Sequence, residues 1–161
     1  MAIYKREDCP FVYKIAAIEK VVDGDTVDAI FDLGFDVMFR GRVRLLGIDT
    51  PESRTRDITE KFYGLLAKRK LKEWVHKAVL DDRDDVEIEL RCPEMDSRGK
   101  FGRILGEFWI IEPDSETNLN EWLCDNYYAV GYTGKNKKDI LAEHMENRKK
   151  LAVQGIRYEH L

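Results

Sequence analysis

A chain of 161 residues with 43% hydrophobic and 36% charged side chains has material for a packed core and lacks the bias of a disordered or fibrous chain, so one domain over residues 1–161 is expected. The formal net charge of −4 excludes a polyanion binder that works by overall basicity, so any nucleic-acid partner must be met by local charge. With no apolar run of about 18 residues, no apolar leader at the N-terminus and only three scattered cysteines, Cys9, Cys92 and Cys124, the expectation is a protein of a reducing, cytoplasmic compartment, without a membrane, a disulfide framework or a CxxC zinc site.

The first half reads as strands. Residues 11–22 and 26–33, split by the DGD turn at Asp23–Asp25, alternate apolar and polar side chains with many β-branched and aromatic residues. Residues 36–49 continue the pattern after a turn at Gly34–Phe35, giving a curled three-stranded meander. From Ile58 to Leu80 the period changes: Phe62, Leu65, Leu66, Leu71, Trp74, Val75 and Val79 form an approximate helical stripe, with Thr59 as a cap. A strand pair follows over 85–92 and 103–111, joined by the loop "PEMDSRGKFG". Residues 118–130 carry caps and helical spacing, and a final charged helix over 137–155 stops at Gly155. The total is five strands and three helices. Charge is uneven: "DDRDDVEIE" from Asp81 gathers six acids, whereas Arg40 to Lys77 is rich in Arg and Lys.

Hydrolysing a phosphodiester requires positive charge on its oxygens and a delivered water. Asp25 after the DG turn, Asp49 at the end of "RLLGID" and the Thr50 carbonyl make an oxygen-rich set suited to a hard cation such as calcium. Arg44, and Arg103 in the glycine-bracketed "GKFGR", offer planar forks for phosphate. Glu52, beyond Thr50-Pro51, is the candidate general base or water-orienting group. Arg44 and Asp49 would lie on opposite faces of a regular strand, so a bulge or twist near Gly47 is expected.

Taken singly, each signal has a bland reading: "DGDT" is usually a hairpin turn, "DTPE" a loop or helix start, a lone strand Arg a surface charge. Their joint occurrence favours a site. The three histidines, His76, His144 and His160, read as ordinary helix or surface positions, and no triad, P-loop, GxGxxG or HExxH occurs. Tyr132, beside Gly131 and Gly134, is the best base-stacking candidate, whereas Tyr127 and Tyr128 read as core.

"VVDGDTV", "RVRLLGIDTPE", "GKFGR" and "LNEWL", followed by a charged closing helix, together resemble the staphylococcal nuclease (thermonuclease) family along about Val21 to Gly155. The long "FDLGFDVMFRGR" hairpin is similar to that of bacterial and phage-type members. The resemblance implies an α+β protein, an OB-fold with a five-stranded Greek-key β-barrel and three α-helices. It also implies a calcium-dependent nuclease acting on DNA and RNA and leaving 3′-phosphate ends; a monomer that prefers single strands is the expectation. On the family pattern Asp25, Asp49 and the Thr50 carbonyl fall on the calcium ligands; Arg44, Glu52 and Arg103 on the catalytic trio; Lys100 on a phosphate-contacting lysine. Phe101 stands where the staphylococcal enzyme has a tyrosine. The alternative, from another class, is a nuclease-like OB module that binds nucleic acid or a protein without cleaving.

Overall fold

A computed structural model describes residues 9–79, 85–132 and 134–158, with the side chains of Ala78, Val79 and Lys100 outside that description. His160 and residues 81–84 of the acidic run lie outside the described residues too. Strands β1 (Phe11–Asp23), β2 (Thr26–Asp32) and β3 (Met38–Leu45) form the antiparallel meander. Then come β4 (Ile48–Asp49), helix α1 (Ile58–Val79), β5 (Glu87–Cys92), β6 (Ile104–Glu112) and β7 (Ser115–Asn118). Helix α2 (Leu119–Asp125), β8 (Val130–Gly131) and helix α3 (Lys137–Val153) complete the described chain.

β1 is long enough to pair with β2 over one part and β5 over another, and its register slips at Ile15/Ala17, Ile18/Lys20 and Val21/Asp23. Such bulges add twist and let a strand curl. β5 pairs with β6, and the start of β6 runs parallel to β3, with Val43, Arg44 and Leu45 opposite Ile104, Leu105 and Gly106. That seam closes a five-stranded barrel of OB topology, with three α-helices outside it; β7 extends β6, and β4 pairs with β8 apart from the barrel. The three short strands β4, β7 and β8 were not distinct in the sequence pattern.

Period-two burial fills the barrel: Val27, Ala29 and Phe31 of β2, Val43 and Leu45 of β3, Leu90 of β5, and Phe108 and Ile110 of β6 are all at most 2% exposed. α1 covers this core with Tyr63, Leu66, Ala67, Leu71 and Val75, whereas Leu65, expected in the stripe, faces outward. Burying Leu71 alone is worth about 1.5–3 kcal/mol.

Four local expectations are corrected. The strand expected over 36–49 breaks at a Leu46–Gly47 turn, because Gly47 sits at φ 74, where only glycine goes without strain. A turn, rather than a bulge, therefore re-aims Asp49. The departing chain is pinned there: the Leu46 N–H donates to the Gly106 carbonyl, and Asn120 Nδ2 donates to the Leu46 carbonyl. The cap of α1 is Asp57, not Thr59, since Asp57 Oδ1 accepts from the Thr59 and Glu60 N–H groups at 3.1 Å. α2 stops at Asp125, well short of Val130: Tyr127 takes φ 70, and the Tyr128 and Ala129 N–H groups fold back to the Leu123 carbonyl. His144, read as an ordinary helix position, is 9% exposed and faces β4.

Candidate active site

The site is built where three loops leave the barrel on one side. The DGD turn between β1 and β2 contributes Asp23 and Asp25, the outer row of β3 contributes Arg44, β4 and its exit contribute Asp49, Thr50 and Glu52, and the chain entering β6 contributes Arg103. Together they line a cleft of about 290 Å³. The β3–β6 seam explains why Arg44 and Arg103 meet: Arg44 pairs with Leu105 across it.

Side chains 40, 42 and 44 all project from the outer face of β3, each toward acids. Arg40 pairs with Glu19 at 2.6 Å and Arg42 with Asp28 at 2.7 Å, and both arginines are half exposed or more. Arg44 differs: its side chain is 13% exposed, with Nη1 3.3 Å from Asp25 Oδ2 and Nη2 3.6 Å from Asp49 Oδ1. Asp25 is further fixed, because Oδ1 accepts from the Thr26 hydroxyl at 2.9 Å and Oδ2 from the Thr50 N–H at 3.2 Å. Asp23, at the rim, accepts from the Ser53 hydroxyl.

Glu52 is the perturbed group. Burial, then the charges of Asp25, Asp23, Asp49 and Glu60, raise its pKa above the ordinary 4.5. Its N–H donates to Glu60 Oε1 at 3.4 Å. Arg103 Nε is buried and has no hydrogen-bond acceptor among the described residues, a costly state for a guanidinium donor unless an anion completes it. Carboxylates in excess around Glu52 and an unsatisfied donor on Arg103 suit a cation and an anion side by side. Among the described residues no three His, Cys, Asp or Glu side chains alone gather to hold an ion. The residues of the cleft that could hold a hard cation, together with water, are Asp25, Asp49 and the Thr50 carbonyl.

Of the residues expected from the sequence, Asp25, Arg44, Asp49, Thr50, Glu52 and Arg103 share the cleft. Tyr132 lies beside it, 39% exposed, with the Arg44 guanidinium carbon 5.8 Å from its ring centre. The Lys100 side chain lies outside the described residues; Phe101, next to it, is 90% exposed at φ 64, with Arg103 over its ring at 5.7 Å.

Two residues escaped the sequence reading. Asp23 stood in the same DGD turn and was legible there. His144 was not: its Nε2 donates to Asp49 Oδ2 at 2.8 Å from α3, a contact between residues far apart in the chain. The docking of α3 that makes it includes a hydrogen bond from Asn147 Nδ2 to the Ala129 carbonyl.

Residues 42–155 match the family model described as staphylococcal nuclease homologue. An uncharacterized protein of Methanocaldococcus jannaschii is 32% identical over 71% of this chain and 58% of its own length. The SPbeta prophage-derived endonuclease YokF of Bacillus subtilis is 29% identical over 76% of this chain and 38% of its own length. Endonuclease YncB of the same organism is 28% identical over 70% and 47%. The chain thus spans less than two thirds of each of these relatives. With the family model covering both arginines of the cleft and the turn that re-aims Asp49, the chain belongs to the staphylococcal nuclease homologue family.

Proposed function

We propose that the chain acts as one domain, a calcium-dependent nuclease that hydrolyses phosphodiester bonds of DNA and RNA and leaves 3′-phosphate ends. The observation that carries this reading is the pairing of two guanidinium groups, Arg44 and Arg103, with a carboxylate cleft in which Arg103 Nε has no acceptor among the described residues. The endonuclease names of two relatives support it.

Asp25, Asp49 and the Thr50 carbonyl would hold the ion, which supplies positive charge to a phosphate oxygen. Arg44 and Arg103 bind the other equatorial oxygens as planar forks and stabilise the charge that develops on them. Glu52, with its raised pKa, accepts a proton from, or orients, the attacking water. Attack at phosphorus in line with the 5′ oxygen expels that oxygen, and the phosphate stays on the 3′ side. Tyr132 offers a ring face to a flanking base, and Lys100 a charge to a neighbouring phosphate.

The test is digestion of labelled single-stranded DNA with calcium, with chelator, and with Glu52→Gln protein. Cleavage with calcium that the chelator abolishes and the variant largely loses is the expected result. Intact DNA in all three arms, with binding retained, would make the chain a non-catalytic module. Arg44→Ala should lower turnover about 10²–10³-fold, as loss of one transition-state donor does; normal turnover would remove Arg44 from the site.

A further inference from the structure

A second concavity of about 330 Å³ lies between β1 and α1. Its rim carries Lys68, Lys72 and His76, spaced four residues apart on one face of α1, and Lys20 across from them on β1. Its apolar lining is the partly buried Ile18, backed by the buried Val21 and Val75, against which a sugar ring could lie. None of the four basic residues has an ion-pair partner among the described residues. Glu19, which also lines the groove, is paired with Arg40; Asp28, opposite Lys20 on β2, is paired with Arg42; and Glu73 is paired with Arg69 and Lys70.

Like charges at i and i+4 repel along a helix, so Lys68 and Lys72, with no ion pair among the described residues, form a mildly unfavourable pair. An anion in the groove would offset it. α1 packs close to the cleft: a Cβ on Gly24, between Asp23 and Asp25, would sit 2.7 Å from Ala67 Cβ. The residue before Lys68 thus touches the turn that carries the acids. Lys20 stands three positions before Asp23 on β1, about 10 Å along a strand.

We propose that this groove is a second phosphate subsite, which takes the sugar–phosphate backbone of a single nucleic-acid strand as it leaves the cleft. The inference rests on the nuclease reading for the identity of the strand. It also reconciles the acidic net charge with a polyanionic substrate: the cations such a substrate needs are collected on one face of α1.

The test measures binding of a 16-nucleotide single strand against salt, in calcium, on the Glu52→Gln background that binds without cutting. Lys68→Gln/Lys72→Gln is compared with Lys14→Gln/Lys149→Gln, an equal charge change away from the groove. Thermal midpoints confirm that both fold. Each phosphate that no longer meets a lysine should make the slope of log affinity against log salt shallower by about 0.7, hence by about 1.4 for the groove variant and not for the control. An unchanged slope, or an equal change in both, overturns the groove. Hydrolysis of bis(p-nitrophenyl) phosphate by the unmutated protein, a diester too short to reach the groove, tests the cleft separately. A shallower slope without diester hydrolysis keeps the groove as an anion site and removes the nuclease reading.

Discussion

His144 holds one oxygen of Asp49 while Arg44 faces the other, so a candidate ion ligand is aimed from two sides. Removing a partner that orients a metal ligand commonly costs 10–100-fold in metal affinity. His144→Ala should weaken calcium binding by about that factor in calorimetry, with His144→Gln recovering part of it; unchanged affinity would reduce the contact to packing. Glu52 gives a pH signature. Its folded-state pKa lies above the ordinary 4.5 because burial and four neighbouring carboxylates disfavour its charge, so the folded protein binds that proton more tightly than the unfolded chain. The contribution to stability is therefore largest when Glu52 is protonated and falls as pH rises from 4.5 through the raised value. Calcium, adding positive charge, should move the Glu52 titration back toward 4.5 in a carboxyl NMR experiment; no movement would place the ion elsewhere. At this scale the sequence was informative wherever chemistry sat in a compact motif, as in DGD and GIDTPE. It was silent on His144, whose role comes from how α3 docks.

At the scale of elements, α1 and the β4 exit form one unit. A Cβ at Gly64 would lie 2.5 Å from the backbone carbon and oxygen of Glu52 and 2.7 Å from the Pro51 carbonyl oxygen. The helix thus carries a residue that costs about 1 kcal/mol relative to Ala in order to approach the loop that bears Glu52. Gly64→Ala should therefore lose stability by roughly 1–3 kcal/mol, despite the better helix propensity, and should lower turnover as well. A rise in the urea midpoint would show that the loop can move away freely. The five long strands, the three helices and their order were legible because period two and period 3.6 are local properties. The end of β3 was not, since Leu46 continues the apolar pattern into the turn and only Gly47 hints at the left-handed backbone there. The end of α2 was hidden for a similar reason: "DNYYAV" reads as helix until Tyr127 takes φ 70.

Across the whole molecule, the closed barrel dictates which groups are inert and which are presented. Burial pushes the thiols of Cys92 and Cys124 up to about 12, so both should resist iodoacetamide at pH 8 and react only on unfolding. Fast alkylation of either in the native protein would mean that the barrel or α2 opens readily. The OB topology was inferred through resemblance, because the parallel β3–β6 pairing that closes it has no local sequence mark. That same pairing has a bearing on time. The meander, its two acids and Arg44 belong to early-translated chain, yet Arg103 reaches the cleft only when β6 runs alongside β3. Contacts between such distant segments form slowly. In stopped-flow refolding, therefore, helical signal should return first and cleavage competence should arrive in a later phase, together with barrel closure.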